Sequence, residues 1–234
     1  MCGMRMLLVT NTTTESPGLI GEYLRRHGVA CTGVFAFDPA GLPDPSLYDA
    51  ISVFGSPESC IELDRHSKLV AVRDLLAEFV RQDKPTLGVC FGGQLLAQVL
   101  GAEVRRCPAP EIGACEVSLT ESGRASPYFD GFPARFPMAQ WHSDMFDIPR
   151  GAEWLAESPS CPHQAFSYGR ALAVQFHPEV TRERGAEWAV EYANELACSG
   201  KSAKEVREEL DSTYPERVAL CELFVSRFLH AAQS

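Results

Sequence analysis

The first 90 residues alternate short apolar segments with amphipathic helical patterns, and this alternation restricts the chain to few folds. Helical patterns fall at residues 17–27 and 67–82, and the second repeats its apolar side chains at helical spacing. The four apolar segments, bounded by Gly, Pro, Asp or Asn as buried parallel strands are, occupy residues 4–10, 30–36, 50–54 and 85–90. Strands that alternate with helices predict an α/β fold with an open, mostly parallel sheet flanked by helices.

The rest of the chain has a different pattern. Five strand-like segments predict β-hairpins and the last central strands, at residues 113–119, 136–141, 153–157, 164–168 and 171–176. Helical patterns precede and follow them, at residues 92–100, 183–197, 201–212 and 215–231. The segment CSGKS, residues 198–202, is the candidate boundary. It predicts a catalytic domain over residues 1–198 and a C-terminal helical extension over residues 199–234.

The last helical pattern has an apolar face that needs a partner surface. Six residues share this face: Val218, Cys221, Phe224, Val225, Phe228 and Leu229. Such a face packs either on its own domain or against a second copy of the chain or another partner. The sequence leaves both possibilities open.

Charge and cysteine content exclude several classes of function. A net charge of -10, with no cluster of Lys or Arg, argues against nucleic acid or an anionic membrane as partner and favours a small-molecule substrate. No apolar run approaches the roughly 20 residues that cross a bilayer. The nine cysteines contain no C-x-x-C pair, and with no signal peptide in view they predict reduced thiols in the cytoplasm, without a metal site or cofactor.

The stretch GVCFGGQLLA, residues 88–97, places Cys90 where a strand ends and a helix begins. A side chain at such a sharp turn projects beyond the carboxyl end of the sheet, where ligands bind in open α/β folds. The N-terminus of the helix favours the reactive thiolate. The motif therefore predicts a nucleophile, although a small buried hydrophobic residue is an equally ordinary role for a free cysteine.

Two further motifs offer a base for the Cys90 thiol and hydrogen-bond donors for an oxyanion. In VQFHPE, residues 174–179, a strand ends at His177 and Glu179 follows, so the imidazole can accept the thiol proton while the carboxylate orients it. The alternative is a surface histidine in a turn beside a solvated glutamate. In FGSPES, residues 54–59, a turn after the third strand offers backbone N–H groups that can stabilise an oxyanion together with the N–H of Phe91.

The ordered set FGSPES, GVCFGGQLLA, QWHSD and VQFHPEVT resembles the class I, triad-type glutamine amidotransferase family, and specifically its free-standing GMP synthase-like domains. The resemblance runs from about residue 4 to about residue 197. It implies that Cys90 attacks the γ-carboxamide of the substrate to form a γ-glutamyl thioester, which water then hydrolyses. His177 would be the general base and acid, and Glu179 would orient it.

The resemblance also implies roles for the pocket. Main-chain N–H groups of Gly55, Ser56 and Phe91 would form the oxyanion site, and Gln94 would help hold the amino-acid end of the substrate. The loop that lines the same pocket would comprise Trp141, His142, Ser143 and Asp144, with His142 more a packing residue than a contact to substrate.

Two departures from the family pattern leave the substrate open. Gly93 stands where many members have histidine, which predicts extra space beside the pocket, and Gly55-Ser56-Pro57 replaces the frequent Gly-Gly-Pro. The first interpretation is a stand-alone hydrolase of γ-glutamyl amides, amines or peptides. The second is a glutaminase subunit that delivers ammonia to a separate synthetase, and the third is a non-catalytic binding module of the same fold.

Overall fold

The computed structural model describes residues 3–13 and 16–232, and all strands of this part of the chain belong to one sheet. In chain order the strands are β1 (Arg5–Thr10), β2 (Ala30–Phe35), β3 (Ala50–Val53), β4 (Thr86–Val89), β5 (Val104–Leu119), β6 (Arg135–Phe146), β7 (Glu153–Glu157), β8 (Ala165–Tyr168) and β9 (Ala171–Val174). The α-helices are α1 (Gly18–Arg26), α2 (Ser67–Arg81), α3 (Phe91–Val99), α4 (Glu121–Ala125), α5 (Arg182–Glu191), α6 (Ala193–Ser199) and α7 (Ala203–Ala231). Among the described residues, no helix has the length and apolar content needed to span a bilayer.

The sheet has the strand order β2-β1-β3-β4-β9-β8-β7-β5-β6. From β2 to β9 neighbouring strands are parallel, and from β9 to β6 they are antiparallel. Every residue of the central strands β3, β4 and β9 is buried, which explains their continuous apolar sequences. The predicted α/β fold is confirmed, with hairpin strands beside the parallel strands.

Helices cover both faces of the sheet because side chains alternate along each strand. On β1, Leu8 packs with α1 and α7 in one apolar cluster. Its neighbours Leu7 and Val9 point to the opposite face and pack with α2 and α3. This arrangement fixes the carboxyl ends of β3, β4 and β9 side by side at one edge of the core.

The C-terminal region departs from the predicted elements. The helix expected at 183–197 is divided between α5 and α6 because Tyr192, with ψ 37°, leaves the helical conformation. The two helices expected at 201–212 and 215–231 are one helix of 29 residues that continues through Pro215. A proline inside a helix removes one backbone hydrogen bond and usually ends or kinks it.

Side-chain donors add hydrogen bonds in the turns before the proline. The buried guanidinium of Arg217 donates to the carbonyl oxygens of Leu210, at 2.9 Å, and Val180, at 3.3 Å. Thr213 Oγ1 donates to the Glu209 carbonyl oxygen at 2.9 Å. Leu210 and Glu209 lie in the turns before Pro215, the Val180 contact ties Arg217 to the segment before α5, and both halves of α7 pack in apolar clusters. Tertiary packing therefore overrides the local break that the sequence predicts.

The apolar face of α7 packs within the chain. Five of its six predicted members are buried, and Val218 packs against the same cluster as α1 and the sheet. This face is therefore covered without a second copy of the chain. The division into domains at residue 198 stays a prediction.

We expect Phe224→Ala to lower the free energy of unfolding by about 3–5 kcal/mol, because it empties a core position. Phe224 is 1% exposed and its ring centroid lies 6.3 Å from that of Phe129. Chemical denaturation followed by circular dichroism measures the change. Val190→Ala, at a residue 75% exposed, is the control and should change the value by less than about 0.5 kcal/mol. Similar losses in both variants would mean that α7 is not part of the core.

Candidate active site

Cys90 lies at the turn between β4 and α3, where its backbone adopts φ 52° and ψ -110°. A positive φ in a residue with a side chain costs about 1–3 kcal/mol, so the surrounding structure must hold it. The Cys90 N–H donates to the Val174 carbonyl oxygen at 2.8 Å, which ties the turn to β9. A Cβ on Gly88 would lie 2.5 Å from the Gly92 oxygen, and a Cβ on Gly92 would lie 2.0 Å from the Val53 oxygen. The sharp turn expected from GVCFG is therefore present and needs both glycines.

His177 and Glu179 follow β9 and lie buried beside Cys90. Nδ1 of His177 is 2.7 Å from Oε1 of Glu179, and the His177 N–H donates to the Ala139 carbonyl oxygen at 2.8 Å. Burial lowers the pKa of His177, but the Glu179 carboxylate and the Cys90 thiol outweigh it and raise this pKa well above its usual value. With Nδ1 held by Glu179, Nε2 is the nitrogen left to exchange a proton with the thiol.

Sequence reasoning missed Gln175, which contacts the thiol directly. Its Nε2 donates to Sγ of Cys90 at 3.5 Å, and its side chain is fully buried. Gln175 precedes His177 by two residues, so alternation within VQFHPE placed both on one side of the strand. That periodicity was the signal that could have identified it.

Gln94, expected to hold the substrate, lies on the first turn of α3 and is 3% exposed. Its Nε2 donates to the Asp144 carbonyl oxygen at 3.1 Å and to Oε1 of Gln175 at 3.2 Å. The amide hydrogens of Gln94 therefore position neighbouring groups of the pocket, although the residue also lines the cavity. A direct contact with substrate stays a prediction.

The turn predicted to bind an oxyanion lies next to Cys90. Ser56 and Phe91 line the same cavity as the thiol. Gly55 is buried behind them, and its carbonyl oxygen accepts a hydrogen bond from Nδ2 of Asn11 at 3.1 Å. Asn11 also donates to the Phe54 carbonyl oxygen at 2.8 Å and so anchors the turn to the end of β1. The sequence offered no local sign of this anchor, and the role of the three N–H groups as donors stays a prediction.

Trp141 forms an aromatic wall of the cavity with two residues from the α5–α6 region. Its ring centroid lies 5.8 Å from that of Trp188 and 6.0 Å from that of Tyr192. Trp141 Nε1 donates to Oε2 of Glu195 at 3.1 Å. Burial raises the pKa of Glu195, which the Trp141 hydrogen bond offsets only in part. The sequence did not identify Trp188, Tyr192 or Glu195, because nothing local brings α5 and α6 to this pocket.

Asp144 and His142 lie on the same strand, and their side chains have different partners. Asp144 accepts a hydrogen bond from Oγ of Ser59, and its Oδ1 lies 2.9 Å from Nη1 of Arg106. These groups form a polar wall of the cavity. The His142 side chain is 1% exposed, and its Nε2 lies 3.1 Å from Oε2 of Glu111. His142 is therefore buried and held by Glu111, and it lines the cavity together with Ser143, so its role as a packing residue stays a prediction.

The expectation that Gly93 leaves space beside the pocket is wrong. A Cβ at Gly93 would lie 2.9 Å from the Val174 carbonyl oxygen and 3.3 Å from that of Gly88. Gly93 is buried where α3 packs on the sheet, so its small size serves this close approach. Space for a substrate lies instead in a cavity of about 200 Å³ that contains Cys90 and His177 and extends between the polar and aromatic walls.

Comparison with known proteins shows which family has this arrangement. The sequence model of the family described as "Glutamine amidotransferase class-I" matches residues 20–191. The glutamine amidotransferase-like protein YfeJ of Salmonella typhimurium is 28% identical over 214 residues, which cover 87% of each chain. The glutamine-hydrolyzing GMP synthase of Aeropyrum pernix is 46% identical over 182 residues, 72% of this chain but only 34% of that enzyme.

A solved structure shares the whole fold. The crystal structure of a glutamine amidotransferase from Thermotoga maritima superimposes with a TM-score of 0.88 at 28% identity and covers 100% of both chains. The long helix α7 lies inside this common region, because the match includes the full length of both chains.

We expect the pKa of His177 to depend on the carboxylate of Glu179. In Cys90→Ala the pKa should stay above about 6.5, because Glu179 still favours the imidazolium. In Cys90→Ala/Glu179→Gln only burial remains, which disfavours the charged ring, so the pKa should fall below about 6.5. NMR titration of the ring signals measures both values, with exposed His27 as an internal reference. An unchanged pKa in the double variant would contradict the coupling.

Proposed function

This chain is a member of the class I glutamine amidotransferase family, and on that premise we propose that it hydrolyses a γ-glutamyl amide bond through a γ-glutamyl thioester on Cys90. One observation carries the proposal: a cysteine held on a strained turn shares one cavity with a histidine of raised pKa, and Nδ1 of that histidine lies against the carboxylate of Glu179. The raised pKa makes His177 a strong proton acceptor, and its proton is then available to a departing amine.

The reaction has two stages. Nε2 of His177 accepts the thiol proton of Cys90, and the sulfur attacks the γ-carbonyl carbon of the substrate. The carbon–nitrogen bond breaks, His177 returns the proton to the leaving amine, and the thioester remains. Water then attacks the thioester and gives a proton to His177, after which the carbon–sulfur bond breaks and the sulfur takes up that proton. The products are the amine and glutamate, and Cys90 is again a thiol.

The polar wall suits the amino-acid end of a γ-glutamyl group. A γ-glutamyl compound carries an α-ammonium and an α-carboxylate, and the wall presents one carboxylate, Asp144, beside one guanidinium, Arg106. We assign Asp144 to the ammonium and Arg106 to the carboxylate on the basis of charge. Ser59, which donates to Asp144, keeps that carboxylate in place.

The aromatic wall suits the leaving amine and favours a stand-alone hydrolase. Trp141, Trp188 and Tyr192 surround one part of the cavity, and Glu195 adds a partly buried carboxylate. Aromatic faces with a carboxylate attract a cationic group. We therefore propose a leaving amine that is larger than ammonia and carries a second positive charge. If ammonia were the leaving group, the aromatic side chains and Glu195 would have no ligand to contact.

A glutaminase subunit is the second candidate. The observation in its favour is the 46% identity to the Aeropyrum pernix GMP synthase, of which the chain spans 34%. In that case glutamine would be the substrate, and a separate synthetase would use the ammonia. A non-catalytic module fits less well, because Cys90 and His177 line one cavity and His177 Nδ1 lies 2.7 Å from Oε1 of Glu179.

We expect Cys90→Ala to lower kcat for any γ-glutamyl substrate by about 10³-fold or more, because it removes the group that forms the thioester. Release of glutamate from glutamine and from a panel of γ-glutamyl amines measures turnover of the isolated protein. Cys31→Ser, on the edge strand β2, is the matched control and should keep its activity. Substantial turnover in Cys90→Ala would remove this residue from the reaction. Turnover of glutamine alone, and only in the presence of a synthetase, would favour the second candidate.

We expect Glu195→Gln to lower kcat/KM about 10-fold for γ-glutamyl amides whose leaving amine bears a second positive charge, which corresponds to about 1.4 kcal/mol. Amides of uncharged amines of the same length should change little, because they make no use of the carboxylate. Glu183→Gln, an exposed residue of α5, is the control. Equal effects on charged and uncharged substrates would contradict the assignment of the aromatic wall to a cation.

A further inference from the structure

Three possible metal ligands lie close together, and one of them, His142, also lines the cavity. Cys107 belongs to β5, His142 to β6, and Cys161 to the turn between β7 and β8. One ligand atom from each lies within 4.8 Å of the others. Sequence spacing could not indicate this group, because its members are far apart along the chain. None of the three has a part in the proposed reaction.

The distances suit a tetrahedral metal centre. Sγ of Cys107 lies 3.6 Å from Nδ1 of His142. Two ligands of a tetrahedral Zn²⁺, at about 2.3 Å for sulfur and about 2.05 Å for nitrogen, are separated by about 3.5 Å. A third sulfur atom, Sδ of Met145, lies 3.9 Å from Sγ of Cys161 and adds a soft neighbour. The Cys107–His142 pair therefore already has the separation that a tetrahedral cation requires, and a ligand atom of Cys161 lies within 4.8 Å of both.

His142 is oriented as a metal-binding histidine is. Its Nε2 lies 3.1 Å from Oε2 of Glu111, a carboxylate that also accepts hydrogen bonds from Ser158 at 2.5 Å and Gln164 at 2.6 Å. When Nε2 carries the ring proton it donates to Glu111, and Nδ1 keeps a lone pair toward the thiols. Nδ1 also lies 3.1 Å from the Asp144 carbonyl oxygen, which accepts a hydrogen bond when Nδ1 is protonated, so metal binding requires the tautomer with the proton on Nε2.

The fold holds the two cysteines firmly. The pairing of β5 with β6 shifts register between Arg106 and Glu111, so Cys107 leaves the regular ladder. Cys161 is fully buried, and its N–H donates to Oγ of Ser158 at 3.0 Å in a closed turn. Cys107 is partly exposed, which gives a cation a path from solvent. Two thiols and an imidazole prefer soft or borderline cations.

We propose that Cys107, His142 and Cys161 form a binding site for a soft divalent cation such as Zn²⁺. Binding releases the thiol protons to solvent and places the metal beside Nδ1 of His142, at the opposite edge of the ring from Glu111. The proposal is independent of the proposed function, since none of its three ligands takes part in the hydrolysis.

Titration of the reduced full chain with Zn²⁺ against a chromophoric chelator tests the site. We expect one Zn²⁺ per chain, with affinity weakened at least 100-fold by Cys107→Ser and 10- to 100-fold by Glu111→Gln, which removes the orienting carboxylate. Cys115→Ser, on the same strand but outside the group, should bind as the unmodified protein does. Co²⁺ should give a thiolate-to-metal charge-transfer band that Cys107→Ser weakens.

Three outcomes would overturn the proposal. The reduced, folded protein fails to take up Zn²⁺, or it binds Zn²⁺ equally well with and without Cys107. In the third outcome, mild oxidation by peroxide forms a Cys107–Cys161 disulfide, and the protein binds no Zn²⁺ after reduction. The two cysteines would then form a redox site instead of a metal site. Circular dichroism of each variant verifies that it is folded, so a loss of binding is distinguished from a loss of structure.

Discussion

The left-handed backbone of Cys90 is the constraint on which the rest of the site depends. Its N–H donates to Val174 of β9, its carbonyl oxygen accepts from the N–H of Gln94 in α3, and Gly92 packs on Val53 of β3. The strain of about 1–3 kcal/mol persists only because strands on both sides and the helix hold the turn. The reactivity of one thiol therefore relies on packing across the central sheet, including side chains that never contact a substrate.

Sequence patterns predicted the parts of this arrangement that follow from where strands end and where glycines mark a turn. Parallel strands end at one edge of a sheet, so Cys90 after β4 and His177 after β9 had to lie close together. The glycines next to Cys90 likewise marked a turn that a larger residue would block. The apolar strands β1, β3 and β4 were recognisable because burial on both faces leaves little choice of residue.

The features that the sequence did not predict depend on contacts between segments that are far apart along the chain. The sequence predicted two helices, at 201–212 and 215–231, and the single helix α7 joins them with Arg217 donating to the carbonyl oxygens of Val180 and Leu210. Gly93 suggested open space, and the backbone of β9 fills it. Glu195 and the ligands of the proposed metal site come together only through the packing of α6 and the bend in β5, which no local pattern encodes.

The helix α7 makes the order of synthesis matter. Its N-terminal half packs, through Val206 and Leu210, in the same apolar cluster as Trp141 and Trp188 of the cavity wall, and its C-terminal half completes the cluster around α1. A chain that is still emerging from the ribosome lacks both contacts, even when all catalytic residues have been made. The contacts that hold Trp141 and Trp188 against α7 therefore form only after α7 has been synthesised.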